Sequence, residues 1–460
     1  MRWYHEHFPP LRWMAALAPF LAAFFYAPLA FGGTTPETVG VLDRLLFHGF
    51  LLWVCVLILE QRSARIPRLF WIPGIALCVI GAAHVMNPVS VADPSFGDFE
   101  PLENHLAFLP GSVDAASTWP VLVHLFALFL AGLALCDALA GSRVRWFLFR
   151  TIALAGFVIA VIGIYQKATG AEAMLWSGPK RFGENFFAAF RYHANAASFL
   201  NLSWPAALAV WLRSRLIRPW SFAASLDLCV FFILTAAVFV NSSKAGQVLG
   251  GIGLLLAAWR FRSELSMPMT TKTGALVLGL FLLLLAGVFV LPGLLGAISK
   301  WNEFAADGGS LVGRFYAYRA CLGAVWDAGF FGHGAGTFHL VFPYHTLEFE
   351  DRIWGYWYHA HQDWLQSLVE WGWLGFCVWV VLYGSAMRRL FQRCCRASKS
   401  GQTELSASVA LLALVLVLVH ALVDFPLQIP AVQWLVVFYL ALGWSDPHGH
   451  GSSERIRGTS

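Results

Sequence analysis

Apolar runs of about twenty residues, broken by short polar turns, repeat along this chain as far as residue 444. A bilayer core of about 30 Å accepts roughly twenty apolar helical residues. Twelve stretches qualify: 11–31, 41–60, 69–86, 120–140, 147–166, 193–212, 221–240, 245–259, 274–298, 364–387, 405–424 and 428–444. The eighth is short for a span, and the sixth carries His193, Asn195 and Asn201. Runs of this length favour an α-helical bundle over a β-barrel. The pattern predicts an all-α, polytopic transmembrane bundle of about twelve spans. Residues 1–298 hold spans one to nine, 299–362 form a large outer loop with short helices, 363–444 hold spans ten to twelve, and 445–460 are a tail.

Composition agrees. Of 460 residues, 58% are hydrophobic and 12% charged, against about 25% charged in soluble domains. An ordinary soluble enzyme is excluded, and a net charge of +5 makes no nucleic-acid surface unless it is clustered. The position of the charges says more. Basic residues fall on alternate loops: Arg2 and Arg12; Arg62, Arg65 and Arg68; Arg143, Arg145 and Arg150; Arg213, Arg215 and Arg218; Arg260, Arg262 and Lys272; Arg388 to Lys399; Arg455 and Arg457. These are 21 of the 31 Lys and Arg residues. By the positive-inside rule those loops and both termini are cytoplasmic. The 87–119 loop carries five acidic residues and no Lys or Arg, so it faces out. The first apolar stretch has no convincing cleavage site after it and reads as an uncleaved span.

The candidate chemistry lies on the outer side. Ser299–Gln362 is long for a connection, which usually marks function. It contains a predicted helix over 312–327 with Arg314 and Arg319, which equally suits a helix lying on the membrane surface. Ile353–Tyr358 reads as an aromatic belt at the membrane border or as a sugar platform. His333, His339, His345, His359 and His361 fall within 29 residues. They suggest either a metal site or a catalytic His at the mouth of span ten; no pair has the i,i+4 spacing of a helical metal motif. Lys244, in the turn before span eight, and Arg191 and His193, opening span six, also lie at outer ends. His420 and Asp424, four apart, are expected on one face of span eleven. Any one basic residue at the border can simply snorkel, but ionisable groups gathered at one face mark function. Eight scattered cysteines make no disulfide framework. Gly332, Gly334 and Gly336 alternate, but with no strand before them they are a weak dinucleotide signal.

At this point the motifs resemble those of the O-antigen ligase/polymerase family. The most specific stretch is His-Ala-His-Gln-Asp-Trp-Leu-Gln at 359–366, preceded by Gly-His-Gly-Ala-Gly-Thr-Phe at 332–338. Asn-Ser-Ser-Lys-Ala-Gly at 241–246, Gly313-Arg314 and His-Ala-Leu-Val-Asp-Phe-Pro at 420–426 support it. The resemblance runs from about residue 180 to 444; the first five spans match in hydropathy alone. It implies a bacterial inner-membrane glycosyltransferase with a periplasmic active site. Such an enzyme moves a glycan from undecaprenyl diphosphate to lipid A–core, a growing glycan or a protein. The family's essential His falls on His361, and its diphosphate-binding basic residues fall on Arg314 and Lys244, where Arg is commoner. Gln362 stands where Asn is commoner. Arg191 and His359 complete the expected substrate-binding set; no metal or cofactor is expected. The rival from another class is a transporter or flippase with a gating outer loop, which would show two similar halves and polar breaks near the midplane. No internal repeat is visible.

Overall fold

The computed structural model describes residues 9–93, 98–176, 185–217, 221–265, 309–349, 352–353, 355–399 and 403–445, with isolated positions between 279 and 302. Helices stand at eleven of the twelve apolar stretches: α1 (Leu11–Leu29), α2 (Pro36–Leu59), α3 (Arg68–Met86), α4 (Ala115–Ala138), α5 (Ser142–Ala168), α6 (His193–Ile217), α7 (Phe222–Val240), α8 (Lys244–Arg260), and, after helix α9 (Gly309–Ala328), α10 (Asp363–Lys399), α11 (Leu405–His420) and α12 (Pro430–Trp444). The expected span 274–298 and tail 445–460 lie largely outside the described residues. Among the described residues seven helices, α1 to α5, α7 and α10, are long and apolar enough to cross a membrane; α11 and α12 are shorter apolar helices.

Local chemistry fixes the helix starts. Thr35 forms a capping box with Thr38 ahead of α2, Asp114 accepts from the Ala116 and Ser117 amides at α4, and Ser243 accepts from Gly246 at α8. Each cap satisfies backbone donors that the first turn leaves without partners. Helices α2 and α3 leave Leu51, Ile58, Ile72, Ile75 and Val79 exposed, a surface suited to hydrocarbon rather than water. Helix α6 does the opposite. Its Ser198, Asn201, Ser203 and Trp204 are buried, and each finds a partner: Asn201 donates to the Gly246 carbonyl at 2.9 Å, and Trp204 Nε1 donates to Asn201 Oδ1 at 3.1 Å. A helix wrapped by protein does not need to be uniformly apolar, which is why this one reads weakly as a span.

The two kinds of connection gather at opposite ends of the bundle. At one end Arg62 binds Asp137 (2.7 Å), Arg260 reaches Thr403, and Arg393 binds Glu404 and donates to the Leu442 carbonyl at 2.7 Å. At the other end meet the start of α6, the α7–α8 turn, the α11–α12 turn and α9. There a second apolar cluster forms, separate from the main core. Ala317, Cys321 and Ala324 of α9 pack with Phe338, Val341, Phe342, Ala360 and Val369.

Two expectations need correction. The fold is not purely α: Ser90–Asp93 pairs antiparallel with Asp98–Pro101 in a two-stranded hairpin. This polar segment has no apolar face for a helix to bury, so the backbone groups of the two strands pair with each other instead. Asp424 is also not on a helix face with His420. Helix α11 ends at His420, and Asp424 lies in the following turn, its amide on the His420 carbonyl at 3.0 Å.

Candidate active site

The end of the bundle that holds this second cluster builds one site around His361. Helix α10 begins two residues later, where Gln362 Oε1 accepts from the Leu365 amide at 2.6 Å. Asp363 accepts from the Leu427 amide (2.8 Å) and from Gln428 Nε2 (3.1 Å), tying the helix start to the α11–α12 turn. Gln366 accepts from the Ala360 amide at 3.2 Å and donates to Glu370 at 3.0 Å. These bonds give the His-Gln-Asp-x-x-Gln spacing its physical meaning: every polar residue after the His holds the loop that carries it.

The glycines of 332–336 have a packing role of the same kind. Helix α10 breaks at Gly372 (φ 60°), and a Cβ there would lie 2.4 Å from the Gly332 amide nitrogen. A Cβ on Gly332 (φ 85°) would in turn meet the Glu370 carbonyl at 2.4 Å. The turn thus lies backbone to backbone on the kink, with the His333 amide on Val369 O and the Gly334 amide on Glu370 O. This close approach accounts for Gly332, and Gly334 and Gly336 (φ 105° and 78°) pack as tightly against Ser112 and against Val121 and Ser117, so the alternating glycines need no nucleotide.

His361 itself has φ 51°, a left-handed conformation rare outside glycine. Such strain, about 1–3 kcal/mol, persists where the surroundings over-determine it, often at functional sites. Here Tyr318 Oη donates to the His361 carbonyl at 2.9 Å. His361 Nδ1 lies 3.2 Å from Asp424 Oδ1, and the ring meets Trp357 and Phe425 edge-on at 5.2 and 4.8 Å. A carboxylate only accepts, so Nδ1 carries the proton and Nε2 is left with its lone pair. Nε2 makes no hydrogen bond among the described residues, and the His361 side chain is 27% exposed. Burial opposes ionisation of Asp424, but the hydrogen bond and charge of His361, with the charges of His420 and Arg314, outweigh it and hold its carboxyl below the usual range.

Arg314, on α9, donates to the Val423 carbonyl at 2.8 Å, one residue before Asp424. Tyr192 Oη reaches Asp424 Oδ2 at 3.4 Å, and its ring stacks on Phe425 at 5.6 Å. Burial, reinforced by the Asp424 charge and opposed by Arg314, raises the Tyr192 phenol, so it stays a neutral donor. His359 stacks on the other side of the site, 4.6 Å from the Phe425 ring, with Nδ1 3.4 Å from Gln366 Nε2. Burial first, and then the neighbouring His361 charge, holds His359 down to about 3, so it is neutral at ordinary pH.

Of the five expected site residues, His361, Arg314 and His359 come together around the 420–425 turn. Lys244 opens α8 directly after its Ser243 cap and lies within electrostatic range of His193, as Lys167 and Asp424 also do, which puts it on the flank of the site. Arg191 lays its guanidinium over the Phe31 ring at 5.3 Å, on the other side of Tyr192. The remaining histidines disperse. His333 faces the Ala324 carbonyl at 3.2 Å, His339 stacks on Tyr358 at 4.5 Å, and His345 lies 3.7 Å from Asp327. Among the described residues no three His, Cys, Asp or Glu side chains group as a metal site. Beside His361 opens a cleft of about 310 Å³ lined by Tyr356, Trp357, Tyr358, His359, His361 and Phe425.

Sequence reasoning did not anticipate Tyr192, or Asp424 as the partner of His361. The one signal for them was chain neighbourhood: Tyr192 sits between Arg191 and His193, and Asp424 lies in the 420–426 motif. No signal at all pointed to a buried network below the site. His124 Nδ1 lies 2.5 Å from Asp43 Oδ1, His124 Nε2 lies 2.8 Å from Gln433 Oε1, and Gln433 Nε2 donates to the Leu427 carbonyl at 2.7 Å.

Residues 229–380 fit the family model described as O-Antigen ligase, whereas no curated protein matches the chain. The matched segment contains Lys244, Arg314, His359 and His361; Arg191 and Asp424 lie outside it. This segment, which carries the His361 loop and the Gly332–Gly372 contact, matches the O-antigen ligase family over about a third of the chain, in agreement with the motif resemblance.

Proposed function

We propose that the protein transfers a glycan from undecaprenyl diphosphate to an acceptor hydroxyl at the periplasmic face of the bacterial inner membrane, with both termini cytoplasmic. The observation that carries this reading is the pairing of His361 with Asp424 beside Arg314, three groups from three elements converging on one turn. A sugar diphosphate brings its own leaving group. Catalysis then needs a base for the acceptor and fixed positive charge for the departing diphosphate. His361 Nε2 takes the acceptor proton while the hydroxyl oxygen attacks the anomeric carbon. The bond from that carbon to the diphosphate oxygen breaks, and the electron pair leaves with the diphosphate. Attack from the face opposite the leaving group inverts the anomeric centre.

Asp424 orients the ring and stabilises the imidazolium formed, and a positioned base contributes about 10²–10⁴-fold. Arg314 faces the developing diphosphate charge, with Lys244 and Arg191 extending the positive field. Fixed cations in a water-poor site each contribute about 10²–10³-fold, so the reaction proceeds without a divalent metal.

The test is transfer by the purified protein in proteoliposomes supplied with an undecaprenyl-diphosphate-linked glycan. His361→Ala should insert normally and fail to transfer; near-normal turnover would remove the base assignment. Wild-type turnover should be indifferent to chelator, and activity lost to chelator and restored by a divalent cation would replace the cation mechanism with a metal-dependent one.

A further inference from the structure

The proposed reaction leaves its acceptor unspecified among a lipid-linked core sugar, a growing glycan and a protein. Resting on that reading, we infer that the cleft beside His361 is the acceptor subsite and that it takes a pyranose ring stacked on Tyr358 and Tyr356.

The side of the base decides which substrate the cleft receives. Nδ1 of His361 is committed to Asp424, on the flank where Arg314 docks. The ring also lines the cleft, and its remaining nitrogen is the one that must meet the acceptor hydroxyl. Donor diphosphate and acceptor therefore approach His361 from different flanks, and the aromatic flank belongs to the acceptor.

The walls decide the chemistry. Residues 356–359 alternate like an extended segment. Trp357 packs inward on Phe342 (5.9 Å) and His361, and His359 packs inward on Phe425. Tyr356 and Tyr358 turn outward and are 68% and 58% exposed. Tyr358 is not loose: it stacks on His339 at 4.5 Å and 16°, and Tyr356 stands edge-on to the same His339 ring. Rigid aromatic faces bind with little ordering cost. A pyranose presents a patch of C–H bonds on one face and hydroxyls around its rim. Tyrosine matches it with a flat apolar ring and a polar tip, and neither phenol hydroxyl is hydrogen-bonded among the described residues. At about 310 Å³ the cleft is at the small end of ligand pockets, sized for a terminal sugar unit and not for a folded protein surface. A mere membrane-border belt would not need two tyrosines fixed on the rim of the cleft that holds the base.

The experiment uses full-length protein in detergent and in proteoliposomes. The probes are oligosaccharides ending in glucose, galactose or N-acetylglucosamine, set against a serine-containing peptide. Saturation-transfer NMR should show at least one sugar probe bound to wild type and lost in Tyr358→Ala. In the transfer assay Tyr358→Ala should raise acceptor KM about tenfold with donor KM unchanged, and Tyr358→Phe should restore most of the affinity. If Tyr358→Ala does not fold, Tyr356→Ala carries the same comparison. Absence of sugar binding, an unchanged acceptor KM in the folded variant, or transfer to the peptide alone would each overturn the subsite, the last while leaving glycosyl transfer intact. Sugar bound by wild type but no glycan moved from the lipid donor would overturn the transfer reading and the acceptor role together.

Discussion

Two of the histidine–carboxylate pairs among the described residues, His124–Asp43 and His361–Asp424, are built for opposite purposes. His124 and Asp43 sit between α2 and α4 with side chains 9% and 8% exposed, 2.5 Å apart. Gln433 closes the other side. Because its amide nitrogen donates to the Leu427 carbonyl, its oxygen faces His124 Nε2, which must therefore donate as well. Both nitrogens of His124 are used up. His361 and Asp424 are 3.2 Å apart, and His361 keeps one nitrogen open to a cleft. The first pair is a strut and the second a tool. They are also connected: Leu427 takes the strut's hydrogen bond on its carbonyl and gives its amide to Asp363, which starts the helix that follows His361. A fully satisfied buried polar network gives rigidity, and here that rigidity ends under the proposed base.

The sharpest way to break this contrast is to remove each histidine in turn. His361→Ala should cost about 10²–10⁴ in turnover with a smaller stability loss than the buried pair gives, because the Tyr192 hydroxyl and the Phe425 amide still reach Asp424. His124→Ala should leave Asp43 buried without its partner and cost about 3–5 kcal/mol of stability. The protein that still folds should turn over near the wild-type rate. Equal stability loss in both variants would erase the distinction between strut and tool.

Removing Arg314 tests whether the open pair works with a cation. Arg314→Ala should lower turnover about 10²–10³-fold and weaken the donor response. Arg314→Lys should recover only part, since a point charge replaces a planar fork; full recovery would mean that the fork geometry is irrelevant.

Asp424→Asn tests the orienting role and carries a pH signature. It should reduce turnover about tenfold or more, as loss of a histidine's orienting carboxylate does. The Asp424 carboxyl is held below its usual range, so its stabilising contribution is complete above the ordinary carboxylate pKa of about 4 and disappears as pH falls through the lowered value. Wild type should thus exceed Asp424→Asn in melting temperature by a constant margin at neutral pH, and the margin should close in acid. A margin that widens in acid would contradict the ionised pair.

The smallest effect is expected at His359. Held down to about 3, it stays neutral across the usual assay range. His359→Phe, which keeps a ring against Phe425, should leave the pH–rate profile between about pH 5 and pH 8 unchanged. A lost ionisation in that range would contradict a neutral His359.

By itself the sequence determined the parts that depend on neighbours along the chain. Eleven apolar stretches became helices because helical hydrogen bonding is local and the apolar length is written into each run. The helix 312–327 was legible in the same way and extends to Gly309–Ala328. The His-rich loop stood out because ionisable residues are rare in so apolar a chain, and His361 and Arg314 were singled out within it by their place in the motifs that resemble the family. What only the tertiary structure decided depends on contacts across tens to hundreds of residues. Asp424 meets His361 from 63 positions away, and Gln433 meets His124 from 309. The left-handed backbone at His361, the Gly332–Gly372 contact and the outward turn of Tyr356 and Tyr358 likewise come from packing that no local pattern encodes. Residue type supplied the reactive groups; packing around the 420–425 turn settled which nitrogen of His361 is hydrogen-bonded.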